Sequence, residues 1–252
     1  MFKKIVAFLF LLLFAQLASA GTLYIAAAAD LTYCLTELNA TFRSTHPDVD
    51  LRVSAGSSGN FFAQIKAGAP YEIFMSADLE YPRQLVAAGL AEKTSLTPYA
   101  IGRIALWTLD SALDISTGLG MLTNPAVRRI AIANPGHAPY GRAARAALEH
   151  DAVWEAVRAK LIMGENISQT AQFVQSGNAE VGIVALSLLK SPKLANAGRY
   201  YLIPLDSFPR MEQGAVITNK GGANPVAREY IQFLRSDAAR AIFDKYGFLL
   251  PR

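Results

Sequence analysis

The sequence predicts an α/β protein of two lobes, each a mostly parallel sheet flanked by helices, with a ligand cleft between them. Three observations predict it. Short apolar strands alternate with amphipathic helices from Leu23 to Ala88, the pattern of a parallel sheet covered on both faces. The pattern changes character after Tyr99, where a strand from Ile101 to Trp107 leaves the first unit, and no Gly/Ser or Pro-rich linker accompanies the change. Strands at Tyr200–Ile203 and Ala215–Ile217 and two last helices, Pro225–Leu234 and Ala238–Tyr246, then lead the chain back. Two lobes without a linker must be joined by crossing strands, which act as a hinge. The expected division is 21–100 plus 209–252 for the first lobe and 101–208 for the second.

Within the first unit, Leu23–Ala27 is a strand, and Asp30 stands where it caps a helix through Leu31, Leu35, Leu38 and Phe42. Val49–Ser54 is the next strand. The turn Gly56-Ser57-Ser58-Gly59 opens a helix over Phe61–Lys66, and Ile73–Met75 and a helix Tyr81–Ala88 follow. In the second unit Ile130–Ala133 is a strand that runs into Asn134–Gly141. Helices are expected at Arg142–Leu148, Val153–Leu161 and Ile167–Ser176, and Val181–Ala185 is a buried strand.

Residues 1–20 read as an export signal: Lys3 and Lys4, the apolar run Ile5–Leu17, then Ala18-Ser19-Ala20 as the cleavage site. Of 252 residues, 232 remain after cleavage. The whole chain carries 24 Lys and Arg against 20 Asp and Glu; without the two leader lysines the balance falls from +4 to +2, no nucleic-acid signature. The single cysteine, Cys34, excludes an internal disulfide and sits on a helical apolar pattern, a core position. An exported chain without disulfides fits a bacterial periplasm.

Four helix starts are candidate binding points: Ala29-Asp30, Ser57-Ser58-Gly59, Tyr140 and Ile167. A helix start presents unpaired N–H groups and the positive end of its dipole, an anion site that needs no cationic side chain. Each also reads as a plain capped turn; their placement at the carboxyl ends of strands, two in each lobe, is what favours binding. His137 reads as a loop hydrogen-bonder. The chain has no G-x-S-x-G elbow and no metal-ligand spacing, so a secreted hydrolase using Asp30 or His137 as base is the weaker alternative.

With these residues in hand, the chain resembles the periplasmic molybdate-binding proteins of ABC transporters, a branch of the type II periplasmic binding proteins. The resemblance rests on Ser57-Ser58, Gln64-Ile65, Ala67-Gly68-Ala69-Pro70, Phe74 and Ser76-Ala77-Asp78. Ala27–Thr32, Asn134–Gly141, Gly182–Val184 and Phe243–Phe248 add to it. It implies a non-enzymatic capture protein that holds molybdate or tungstate by neutral hydrogen bonds and uses no cofactor. A monomer is expected, delivering the anion to a membrane permease. The ATPase must be a separate chain, since no phosphate-binding loop motif occurs here.

The family's ligand positions fall on Asp30, Ser58, Tyr140 and Ile167, with Ala29, Ser57, Gly59 and Ala185 in support. At Ala185 one subgroup carries a tyrosine that donates to the anion, and Tyr140 is expected to compensate for its absence. Asp30 is the departure that matters, because at ~4 Å a carboxylate repels each unit of anion charge by about 1 kcal/mol even in bulk water. Three roles stay open for it: a helix cap, a protonated donor, or a direct ligand of the metal centre. Sulfate, phosphate or another oxyanion remains the alternative cargo.

Overall fold

In the computed structural model, residues 21–251 are described; the expected export signal lies outside them. The chain forms two five-stranded sheets. The first contains β1 (Thr22–Ala28), β2 (Asp50–Gly56), β3 (Ile73–Ser76), β4 (Thr97–Gly102) and, from near the C-terminus, β10 (Met211–Ile217), in the order β2-β1-β3-β10-β4. The second contains β5 (Ile104–Thr108), β6 (Ile130–Ala133), β7 (Leu161–Gly164), β8 (Val181–Ala185) and β9 (Arg199–Leu202), in the order β7-β6-β8-β5-β9. Strands β1, β2 and β3 run parallel, as do β6, β7 and β8. The strands next to the crossings, β10 and β5, run antiparallel to their neighbours.

Helices cover both faces of the first sheet. Leu23, Ile25, Ile73, Met75 and Ile217 pack under α1 (Cys34–Thr45), α8 (Pro225–Phe233) and α9 (Asp237–Lys245), with Phe42, Tyr230 and Phe243 among them. The intervening residues Ala26, Phe74 and Val216 face the other way, onto Phe61 and Ile65 of α2 (Ser58–Lys66) and Leu85 of α3 (Glu80–Ala87). This is period-two alternation with both faces apolar, which the short uninterrupted apolar strands anticipate. Gly68 and Gly89 follow α2 and α3 with φ of +90° and +69°, the left-handed conformation that closes a helix. Cys34 is buried in this core, as expected, and burial pushes its thiol far above the ordinary range.

The second sheet is packed by α4 (Pro139–His150), α5 (Trp154–Val157), α6 (Ile167–Gln175) and α7 (Leu186–Leu189). Its core holds Leu106, Trp107, Ile132, Leu148 and Ile183 and extends to Ala28, Ala29 and Ala77 of the first unit. The two units therefore share apolar contact at the ends of β1 and β3.

Three expectations change. The strand Ile101–Trp107 is two strands, β4 and β5, broken at Arg103, where the chain passes from one sheet to the other. The helix Val153–Leu161 ends at Val157; a 3-10 turn, Arg158–Lys160, leads into β7, an edge strand. Asp30 does not cap α1. It lies inside a 3-10 turn, Ala29–Leu31, and its side chain accepts no helix N–H.

Candidate oxyanion site

The ends of β1 and β2 and the turns that follow β3, β6 and β7 meet at one place. The turn after β1, the start of α2, the start of α4 and the start of α6 line one small cavity of about 10 Å³. Its wall includes Ala29, Asp30, Ser57, Ser58, Tyr140 and Ile167. The structure thus brings together all four principal candidates and two of the supporting ones. It does not bring Ala185 or Gly59 to the wall: Ala185 ends β8 opposite Ile104, and the Gly59 N–H is taken by the His137 carbonyl at 2.9 Å.

Each helix contributes in a way its local sequence dictates. The Ser58 hydroxyl accepts the Ala77 N–H at 3.0 Å, which leaves its own proton free to donate. Pro139 occupies the first turn of α4, where its missing N–H costs nothing, and the Tyr140 N–H follows it. Asn166 caps α6 by accepting the Ser168 and Gln169 N–H groups, each at 3.0 Å, and leaves that of Ile167. Among the described residues, the N–H groups of Asp30, Ser58, Tyr140 and Ile167 have no acceptor in another residue. No Lys, Arg or His is on the wall. The donors of this wall are dipoles alone, suited to an anion that offers acceptors in every direction, and Asp30 is the one acidic side chain among them.

Asp30 and Tyr140 hold a different relation from the one expected. The Tyr140 hydroxyl donates to Asp30 Oδ2 at 2.9 Å instead of being a spare donor for an anion, so the expected compensation for Ala185 does not come from it. Gln213, on β10, donates to the same carboxylate oxygen at 2.7 Å and lies 3.1 Å from the Tyr140 hydroxyl. Tyr99 on β4 donates to Gln213 Oε1 at 3.0 Å. This buried chain joins the cavity to β10 and β4. Burial raises the Asp30 carboxyl to about 6, against the lowering effect of its bonds to Gln213 and Tyr140 and of its own main-chain N–H. Gln213 and Tyr99 escaped the sequence reading. The signal for Gln213 was a polar residue in a strand that is otherwise apolar from Gly214 to Ile217.

The rim is made by contacts across the cleft. Ser57 Oγ lies 2.8 Å from the His137 carbonyl and 2.9 Å from His137 Nδ1; Asn60 donates to Glu165 at 2.6 Å; Ser168 Oγ donates to the Ala29 carbonyl at 2.9 Å. Ser57, His137 and Glu165 fall in the order of a nucleophile, base and acid. However, the Ser57 hydroxyl has a main-chain acceptor and is buried, so the group serves as a contact between the two units. An ion pair between Arg142 and Asp78 closes the same side. It borders a larger groove of about 430 Å³, whose wall carries Arg142, Arg210, Asp78 and Glu80. With charges of both signs, that groove lacks the neutral donor character of the smaller cavity.

Residues 23–249 match the family described as bacterial extracellular solute-binding protein. The chain is 35% identical to the molybdate-binding protein ModA of Rhodobacter capsulatus over 232 residues, covering 92% of this chain and 90% of that one. It is 34% identical to ModA of Azotobacter vinelandii, covering 94% and 93%. The solved structure of the Azotobacter vinelandii periplasmic molybdate-binding protein superposes with a TM-score of 0.86 at 31% identity, over 91% of this chain and all of that one. The chain belongs to the bacterial extracellular solute-binding protein family, on its ModA branch.

Proposed function

We propose that the protein captures molybdate or tungstate outside the cytoplasm and hands it to the membrane permease of an ABC transporter. The observation that carries this reading is the convergence of unpaired N–H groups from both units on one cavity without a cation. Asp30, Ser58, Tyr140 and Ile167 each offer a main-chain N–H, and Ser58 adds its hydroxyl. A hydrogen bond to a charged group is worth about 1.5–3 kcal/mol. Five of them supply about 7.5–15 kcal/mol, against the ~8 kcal/mol of micromolar binding, and only the upper part of that range also offsets ordering costs. A fully ionised four-oxygen anion asks for donors, which the main-chain N–H groups and the Ser58 hydroxyl supply.

The same reading assigns the rest of the chain. The lobes are 21–100 with 209–252, and 101–208; they open and close about the crossings at Arg103 and between Leu202 and Met211. Residues 1–20 direct export and are removed after Ala20, which leaves the protein in the periplasm as a monomer. It performs no catalysis, and a separate ATPase subunit drives transport. Calorimetric titration of the mature protein with molybdate, tungstate, sulfate and phosphate tests the proposal. Sub-micromolar binding of the first two, with the others far weaker, is expected. Preference for sulfate or phosphate would transfer the site to another oxyanion.

A further inference from the structure

We propose that Asp30 carries a proton whenever the anion is bound, so that capture takes up one proton and Asp30 sets how affinity depends on pH. The inference rests on the oxyanion reading of the cavity and deepens it.

The geometry leads there in three steps. Asp30 is on the cavity wall and only 1% exposed. Its two oxygens are unequal: Oδ2 accepts from Tyr140 and Gln213, whereas Oδ1 is buried without a partner among the described residues. A charged carboxylate leaves that atom as an unsatisfied acceptor, and the N–H and O–H groups of the wall are committed to the ligand. A protonated Oδ1 is a donor, and an anion oxygen in the cavity is the acceptor it lacks.

Among the described residues no positive charge offsets Asp30. The side chains that face it from the packed elements are Tyr140 of α4, Tyr99 of β4, Gln213 of β10 and the Cys34 thiol at the start of α1. Ser187 of α7 donates to its main-chain carbonyl. The further charges are Asp78, which acts on Tyr99, and Glu37 and Lys245, which act on Cys34. Burial already holds the carboxyl near 6 without any anion beside it. A dianion in the same cavity raises it further, because like charges favour the protonated form. The proton comes from solvent and ends on Oδ1; it returns to solvent when the anion leaves.

The test is titration of the mature protein with molybdate at pH 6.5–8.5, where the anion itself remains doubly charged, in buffers of different ionisation enthalpy. About one proton taken up per anion at pH 8, and a dissociation constant rising about tenfold per pH unit between pH 7.5 and 8.5, is the expected result. Asp30→Asn should bind with no proton uptake and a flat pH profile. Tight binding by the unaltered protein with no proton taken up would overturn the role of Asp30 and leave the oxyanion reading intact. Absence of binding at every pH would overturn both. Proton uptake that persists in Asp30→Asn would place the proton elsewhere and reject Asp30 as its carrier.

Discussion

The main-chain N–H of Gly59, at the start of α2, meets the carbonyl of His137, on the loop before α4, at 2.9 Å. A Cβ added at Gly59 would lie 2.5 Å from that carbonyl oxygen and 2.7 Å from the Tyr81 hydroxyl. The two units can approach this closely only because position 59 has no side chain. Gly59→Ala is therefore expected to hold the cleft open and to lower anion affinity at least tenfold without removing a ligand contact. Small-angle scattering with saturating anion checks it: a variant that contracts like the unaltered protein would show that the contact is dispensable.

Ser58 gives one hydroxyl donor to the cavity while accepting the Ala77 N–H. Ser58→Ala removes the donor and leaves the Ala77 N–H without a partner. A loss of about 1–3 kcal/mol in binding is expected, together with a smaller loss of stability. Calorimetry and thermal melting report the two separately.

Tyr140→Phe removes the phenolic donor to Asp30 and keeps the ring in the core. The main-chain N–H that faces the cavity is unaffected. Asp30 then retains only Gln213, so its carboxyl should titrate higher than about 6. In binding experiments the pH at which affinity begins to fall should move upward by a measurable fraction of a unit. An unchanged profile would detach Tyr140 from the titration.

Free of anion, the protein should lose stability as pH rises from about 4 to about 6. The Asp30 carboxyl is raised from 3.8 to about 6 in the folded state, so folding favours its protonated form. That contribution is complete below the unfolded value and is lost as pH passes through the folded one. Two units correspond to roughly 3 kcal/mol. Asp30→Asn should flatten this part of the melting profile and raise the melting temperature at pH 7–8.

Much of the fold could be read from local pattern, because the strands of parallel sheets are continuous apolar runs. Ile73–Met75, Ile130–Ala133 and Val181–Ala185 are such runs, and each is a buried strand. β7 could not be read so: it is an edge strand, and its Met163 is half exposed, so nothing in it alternates or clusters. The break at Arg103 was also silent, since both sides of it are apolar strand and only the change of sheet marks it. At the site, helix starts were legible because capping and turn residues are local signals. The partners of Asp30 were not: Tyr140 and Gln213 lie 110 and 183 residues away in sequence, and only the crossing of the two units brings them to one carboxylate.

A cavity whose donors are all neutral dipoles does not cancel the charge of what it holds. Uptake of a doubly negative guest shifts the net charge of the whole molecule toward the acidic side, by nearly two units, or by one if a proton enters with it. Filled and empty forms should therefore separate by native electrophoresis or ion exchange, and a receptor touching the rim can tell cargo from no cargo by field as well as by shape.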